Sequence, residues 1–322
     1  MNTILLNRGV IVYLSSEIVL WGIFAIAFVV MISILYGWDF DKYTQKQYIL
    51  QKRAWLTVTI LSFVSIFKFL LLPYFVYTID TLKDIVPGAM CAAGVISANS
   101  YGLKLLLLKI LILFGFTLWI ILNRYDLNAK NYPLFKIKSW FFILLFVALT
   151  VELWLDIKYF LHIDINIPVS CCSALFGQLE GANPLPFGLN TNTMLLLFYI
   201  LYMLSMLLLF SSEAWLILIV IPLFGVISYY SVVYFFGTYI YELPTHKCPF
   251  CMLQKDYYYI GYLIWSSLFG AVYLSLSGAI LQLLTKSNSK NLYQWSMKLF
   301  TLFVAVCSLY IITYYIRSGV LL

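Results

Sequence analysis

Long apolar runs separated by short polar connections dominate the chain, and eight of them reach the roughly 20 residues that a membrane-spanning helix needs. They cover residues 11–36, 55–78, 101–122, 140–160, 191–211, 214–236, 257–282 and 298–318. The runs are continuous, without the alternation over about ten positions that a transmembrane barrel strand requires. The pattern predicts an all-α, polytopic membrane helical bundle. No long hydrophilic stretch marks a separate soluble domain and no internal repeat stands out, so residues 1–322 read as a single transmembrane domain. Ile11–Tyr36 follows Arg8 without a small-residue cleavage site and reads as a retained helix, not a signal peptide. Pro73 and Pro222 are expected to kink the second and sixth spans.

Composition sharpens this class. Sixty-three per cent of residues are hydrophobic and 10% are charged, which excludes a soluble protein. The net charge of +7 points to cytoplasmic loops of a membrane protein and not to nucleic acid. Lys42, Lys46, Lys52 and Arg53 follow the first span; Arg124, Lys130, Lys136 and Lys138 follow the third; Lys286, Lys290 and Lys298 follow the seventh. The opposite side holds Arg8, Lys83, Lys247, Lys255 and Arg317. By the positive-inside rule the first set is cytoplasmic and both termini are external. The expected setting is a bacterial inner membrane, with lipid as the immediate partner.

This orientation gathers the reactive side chains. Cys91 falls in the external loop 80–100, His162, Cys171 and Cys172 in the loop 161–190, and His246, Cys248 and Cys251 in the loop 237–256. Only Cys307 lies inside a span, where a free cysteine packs as a small hydrophobe. The external side of such a membrane lets disulfides persist, so loop staples are one reading, although five cysteines leave one over. Five thiols with Met90, Met252, His162 and His246 also make a donor set for a soft metal such as copper. The third reading is redox. Cys248-x-x-Cys251 placed at the start of a helix, beside His246 and Lys247, has the positive surroundings that lower a thiol pKa. Lys255, one helical turn after Cys251, is placed to stabilise a thiolate or a reduced quinone, or else snorkels to the interface.

The run Cys248-Pro249-Phe250-Cys251-Met252-Leu253-Gln254-Lys255 resembles the active-site segment of the DsbB family of quinone-dependent disulfide-forming membrane proteins. Vitamin K epoxide reductase-type proteins share the same general logic. The resemblance implies that Cys248 and Cys251 form the quinone-coupled pair and that Lys255 stands at the quinone. Cys171, Cys172 or Cys91 would then be shuttle thiols serving an external thiol protein. The likeness covers eight residues. The family has four spans, carries Arg at the position of Lys255, and does not have its second cysteine pair adjacent.

Lys68, Lys109, Glu152 and Asp156 fall well inside the spans. Each costs at least ~2.5 kcal/mol near the bilayer centre unless compensated. Their similar depths, and the four-residue spacing of Glu152 and Asp156 on one helix face, predict either an ion-pair network or a polar path for protons. The leading expectation is a thiol–disulfide oxidoreductase coupled to a membrane quinone. A non-enzymatic copper-handling or assembly protein is the second. A structural subunit or transporter with stapled loops is the third.

Overall fold

The structure, a computed structural model, describes residues 3–37, 44–129, 132–169, 188–244 and 246–322. Its long elements are α1 (Arg8–Gly37), α2 (Gln45–Thr81), α4 (Gly102–Asn128), α5 (Phe135–Leu161), α6 (Thr191–Ser211), α7 (Ala214–Ser231), α9 (Ile260–Thr285) and α10 (Lys290–Ser318). Two five-residue helices, α3 (Ala92–Ile96) and α8 (Gly237–Tyr241), sit between them. Among the described residues, eight helices are long and apolar enough to cross a membrane, the sixth running from α7 through a π turn into α8. This is a multi-pass membrane architecture. Helices are the expected solution, because a lipid-exposed backbone must satisfy its own hydrogen bonds.

The chain divides into two compact units. The first comprises Met1–Leu82 and Ile96–Ile165, the second Lys83–Val95 and Asn166–Leu322. In the first unit, α1, α2, α4 and α5 close around Phe24, Phe116, Trp119, Phe142 and Leu145. In the second, α6, α7, α9 and α10 pack around Phe198, Phe224, Phe300 and Phe303, and Cys307 is buried in that core.

Several connections have local causes. Ser212 takes a left-handed conformation (φ 61°) and its N–H bonds to the Leu208 carbonyl, closing α6 so that α7 begins at Ala214. The α9–α10 hairpin is pinned by the Ser289 hydroxyl to the Gly278 carbonyl at 2.9 Å and by Ser296 to Ala271 at 2.8 Å. Small residues and hydroxyls are how membrane helices approach closely. Pro73 and Pro222 both lie inside continuous helices.

Two placements differ from the expectation. α2 starts at Gln45, ten residues before the apolar run, so Lys46, Lys52 and Arg53 ride on exposed helical turns and not in a loop. Lys138, counted above with the loop cations, is buried in α5. It pairs with Asp126 at 2.6 Å and donates to Asn123 Oδ1 at 2.9 Å, fastening the α4–α5 hairpin.

Candidate sulfur and charge sites

The second unit builds its sulfur site from two loops. Val86-Pro87-Gly88-Ala89 makes a turn closed by the Ala89 N–H to the Val86 carbonyl at 3.2 Å, with Gly88 at φ +80°. A proline followed by a left-handed glycine fits a type II turn. Gly88 also admits the Val169 carbonyl, which would lie 2.5 Å from any Cβ there. The Val169 N–H donates to Pro87 at 2.9 Å. Cys91 follows, and its carbonyl accepts the N–H groups of Gly94 and Val95, which starts α3.

The second loop leaves α8 through Glu242, in the left-handed region at φ 52°. Tyr241 organises it from within. Its hydroxyl donates to the Cys248 carbonyl and accepts the Met252 N–H at 3.1 Å. The Trp265 indole donates to the Pro249 carbonyl at 3.1 Å, and Gln254 reaches the Met90 carbonyl at 3.4 Å, tying the two loops together. Gly261 lets the loop lie flat on α9: a Cβ there would meet Met252 at 2.5 Å.

The pair does not open a long helix. Cys251–Leu253 is one 3-10 turn and Lys255–Tyr257 another, and α9 starts at Ile260. Tyr258 and Tyr259, both left-handed at φ 53° and 57°, make the corner. The dipole of a long helix is therefore not at Cys248, and Lys255 is exposed on its own short turn, not one α-helical turn beyond Cys251.

The sulfurs converge. Cys91 Sγ and Cys248 Sγ are 3.6 Å apart, and those of Cys91, Cys248 and Cys251 all lie within 4.8 Å of one another. All three are buried, and none is in a disulfide. Hydrogen bonds from Cys248 and then Cys251 hold the Cys91 thiol well below its ordinary pKa, helped by the backbone N–H groups of Ala93 and Gly94 and opposed by burial. His246 stands against the Tyr241 ring at 4.3 Å and is not one of the three-sulfur group. Burial lowers its pKa, and negative charge at Cys91 partly offsets this. Met252 is buried in the same core, whereas Met90 is exposed. His162 belongs to the first unit, where it follows α5, its Nδ1 2.8 Å from the Lys158 carbonyl. Cys171 and Cys172 lie outside the described residues.

The first unit brings Lys68, Lys109, Glu152 and Asp156 together, all buried. It adds an acid that the sequence reading passed over, Glu17 of α1. Lys68 Nζ lies 2.6 Å from Glu17 and 2.9 Å from Glu152; Lys109 Nζ lies 2.7 Å from Glu152 and 2.8 Å from Asp156. Tyr241, Trp265 and Gln254 were also missed. An aromatic residue at a span end has the same sequence signature as an interfacial anchor. Glu17 did leave a signal, as a lone acid inside an apolar run.

No family model, no curated protein and no solved structure matches the chain.

Proposed function

We propose that the second unit is a thiol–disulfide exchange centre passing electrons from an external protein dithiol to a membrane quinone. The observation that carries this reading is the 3.6 Å approach of Cys91 Sγ to Cys248 Sγ, with Cys251 alongside. In the oxidised centre Cys248 and Cys251 form a disulfide. The Cys91 thiolate attacks Cys248 Sγ; the Cys91–Cys248 bond forms and Cys251 leaves as a thiolate. A partner thiol then attacks Cys91, releasing reduced Cys248, and the partner's second thiol displaces Cys91 to complete the partner's disulfide. Two electrons now reside on Cys248 and Cys251. A quinone takes them with two protons, becomes the quinol, and the Cys248–Cys251 disulfide reforms. Lys255, exposed on the turn after Cys251, is the cation offered to the quinone, and His246 is the imidazole beside the pair. A bacterial inner membrane supplies both the quinone and an oxidising external face.

The test uses the full-length protein in nanodiscs with a soluble quinone analogue. Acid quenching, alkylation and mass analysis should show a Cys248–Cys251 disulfide after quinone addition. Cys251→Ser should form no disulfide within the centre on quinone addition and fail to reduce quinone. Three thiols that stay reduced with quinone present would sink the proposal.

The same triangle favours a second reading. Three thiolates around a trigonal thiophilic cation with metal–sulfur bonds of about 2.3 Å would have sulfurs ~4 Å apart, inside the 4.8 Å limit seen here. Copper or zinc recovered at one equivalent from the reduced protein, and lost in Cys91→Ser, would replace redox exchange by metal handling.

A further inference from the structure

The buried charges of the first unit form a closed ring. Tyr13 and Glu17 come from α1, Lys68 from α2, Lys109 from α4, and Glu152 with Asp156 from α5. The contacts run from Tyr13 to Glu17 (3.1 Å), to Lys68 (2.6 Å), to Glu152 (2.9 Å), to Lys109 (2.7 Å), to Asp156 (2.8 Å) and back to Tyr13 (3.0 Å). Tyr159, also on α5, is the further titratable group facing Asp156.

Two separate counts say that this ring is one proton short when its acids are all ionised. By charge, three carboxylates and two ammonium groups leave a net −1 in a buried site, which is costly. By hydrogen bonding, the two lysines donate in four of the six contacts. The remaining two both involve the Tyr13 oxygen, which carries one hydrogen. If the hydroxyl donates to Asp156, the Glu17 contact needs a hydrogen on Glu17; if it donates to Glu17, Asp156 must carry one. A single added proton satisfies both counts.

We infer that this ring is a proton-binding site, holding one exchangeable proton shared between Glu17 and Asp156 through Tyr13. The two arrangements interconvert by a concerted shift. The carboxylic acid on one side gives its hydrogen to the tyrosine oxygen while the hydroxyl gives its own to the carboxylate opposite, so atoms and charge are conserved. A cavity of water-molecule size, lined by Glu17, Lys68, Lys109 and Glu152 together with Leu71, Leu72, Ile112 and Leu113, adjoins the ring on its Glu17 side. An ion-pair cluster that only staples helices needs neither the odd acid nor the hydroxyl bridge.

The test is infrared difference spectroscopy of the full-length protein in nanodiscs, between neutral and alkaline pH, in H2O and D2O. Wild type should show a protonated-carboxyl C=O band at neutral pH that shifts in D2O and disappears as the pH rises. Glu17→Gln and Asp156→Asn each make the ring neutral with no added proton, so each should lose the band. Tyr13→Phe should keep the band at a shifted frequency. If a variant fails to assemble, wild type grown with carboxyl-labelled aspartate or glutamate assigns the band by its isotope shift. The absence of the band from wild type at neutral pH, or its persistence unchanged in both carboxamide variants, would overturn the inference.

Discussion

Lys109→Met is the sharpest perturbation of the first unit. Lys109 holds Glu152 at 2.7 Å and Asp156 at 2.8 Å, with Glu17 at 3.6 Å, and its ammonium lies over the Phe75 ring at 4.9 Å. Methionine keeps the volume and removes the charge, leaving Glu152 with Lys68 alone and Asp156 with Tyr13 alone. Removing one partner from a buried pair costs about 3–5 kcal/mol, a large share of a typical stability of roughly 5–15 kcal/mol. Asp156→Asn, by contrast, keeps the oxygen facing Lys109 and places an amide hydrogen donor toward Tyr13. It should cost about 1 kcal/mol or less, the net worth of one exchanged hydrogen bond. The double variant removes one charge of each sign. It should therefore regain ~2 kcal/mol of the single lysine loss, a coupling within the range for contacting residues. Denaturant-driven unfolding of the reconstituted protein, followed by tryptophan fluorescence, measures all three. A Lys109→Met variant within about 0.5 kcal/mol of wild type, or strict additivity in the double variant, would refute the ring as a charge-balanced unit.

The sulfur site yields four further expectations. Tyr241→Phe removes the hydroxyl that accepts from the buried Met252 N–H and donates to the Cys248 carbonyl, so it should cost about 1–3 kcal/mol and speed amide exchange at Met252, read by hydrogen-exchange mass spectrometry. Gly88→Ala places a Cβ 2.5 Å from the Val169 carbonyl at φ +80°, so the yield of oxidant-induced Cys91–Cys248 disulfide should fall in a crosslinking assay. Tyr258→Gly relieves a left-handed, 90% exposed tyrosine and should stabilise by about 1 kcal/mol in thermal unfolding. Finally, the Cys91 pKa is lowered from 9.0, so alkylation of Cys91 should stay flat from neutral to mildly acidic pH, whereas in Cys248→Ala/Cys251→Ala it should slow as pH falls. A depressed folded-state pKa contributes stability above the unfolded value and loses it as pH falls toward the folded one, so acid should weaken the loop pairing.

The spans were legible because hydrocarbon leaves the backbone few options. Their ends were not, for a physical reason. Hydropathy marks the membrane, whereas helices continue into water, as α2 does through Lys46, Lys52 and Arg53 and α10 does from Lys290 onward. At α9 the error runs the other way, because left-handed Tyr258 and Tyr259 delay a helix that composition would start at Tyr257. Orientation reasoning put Cys91 among the same candidates as Cys248 and Cys251, but it could not see that Tyr241 holds their loop. The Lys138–Asp126 pair was invisible for a related reason: a lysine beside a span end reads as solvated until the fold sets an acid twelve residues earlier against it.

Proton accounting constrains the proposed redox cycle further. Two-electron reduction of a quinone consumes two protons, and a reduced sulfur site with one thiolate and two thiols would hold both. Hydrogen bonds from Cys248 and Cys251 lower the Cys91 pKa, the direction that places the charge on Cys91 and the protons on the other two. In the proposed cycle, oxidising Cys248 and Cys251 to their disulfide would release the two hydrogens that the quinol needs and remove both thiol donors, leaving the Ala93 and Gly94 N–H groups to hold the Cys91 thiolate for the next exchange. The reverse assignment, with Cys91 and Cys248 as the quinone-coupled disulfide, balances as well, because Cys251 can give up its proton, but it moves the charge to Cys251 and away from the Ala93 and Gly94 N–H groups at Cys91. Within the proposed cycle, the backbone N–H groups at Cys91 thus favour Cys248–Cys251 as the pair that faces the electron acceptor.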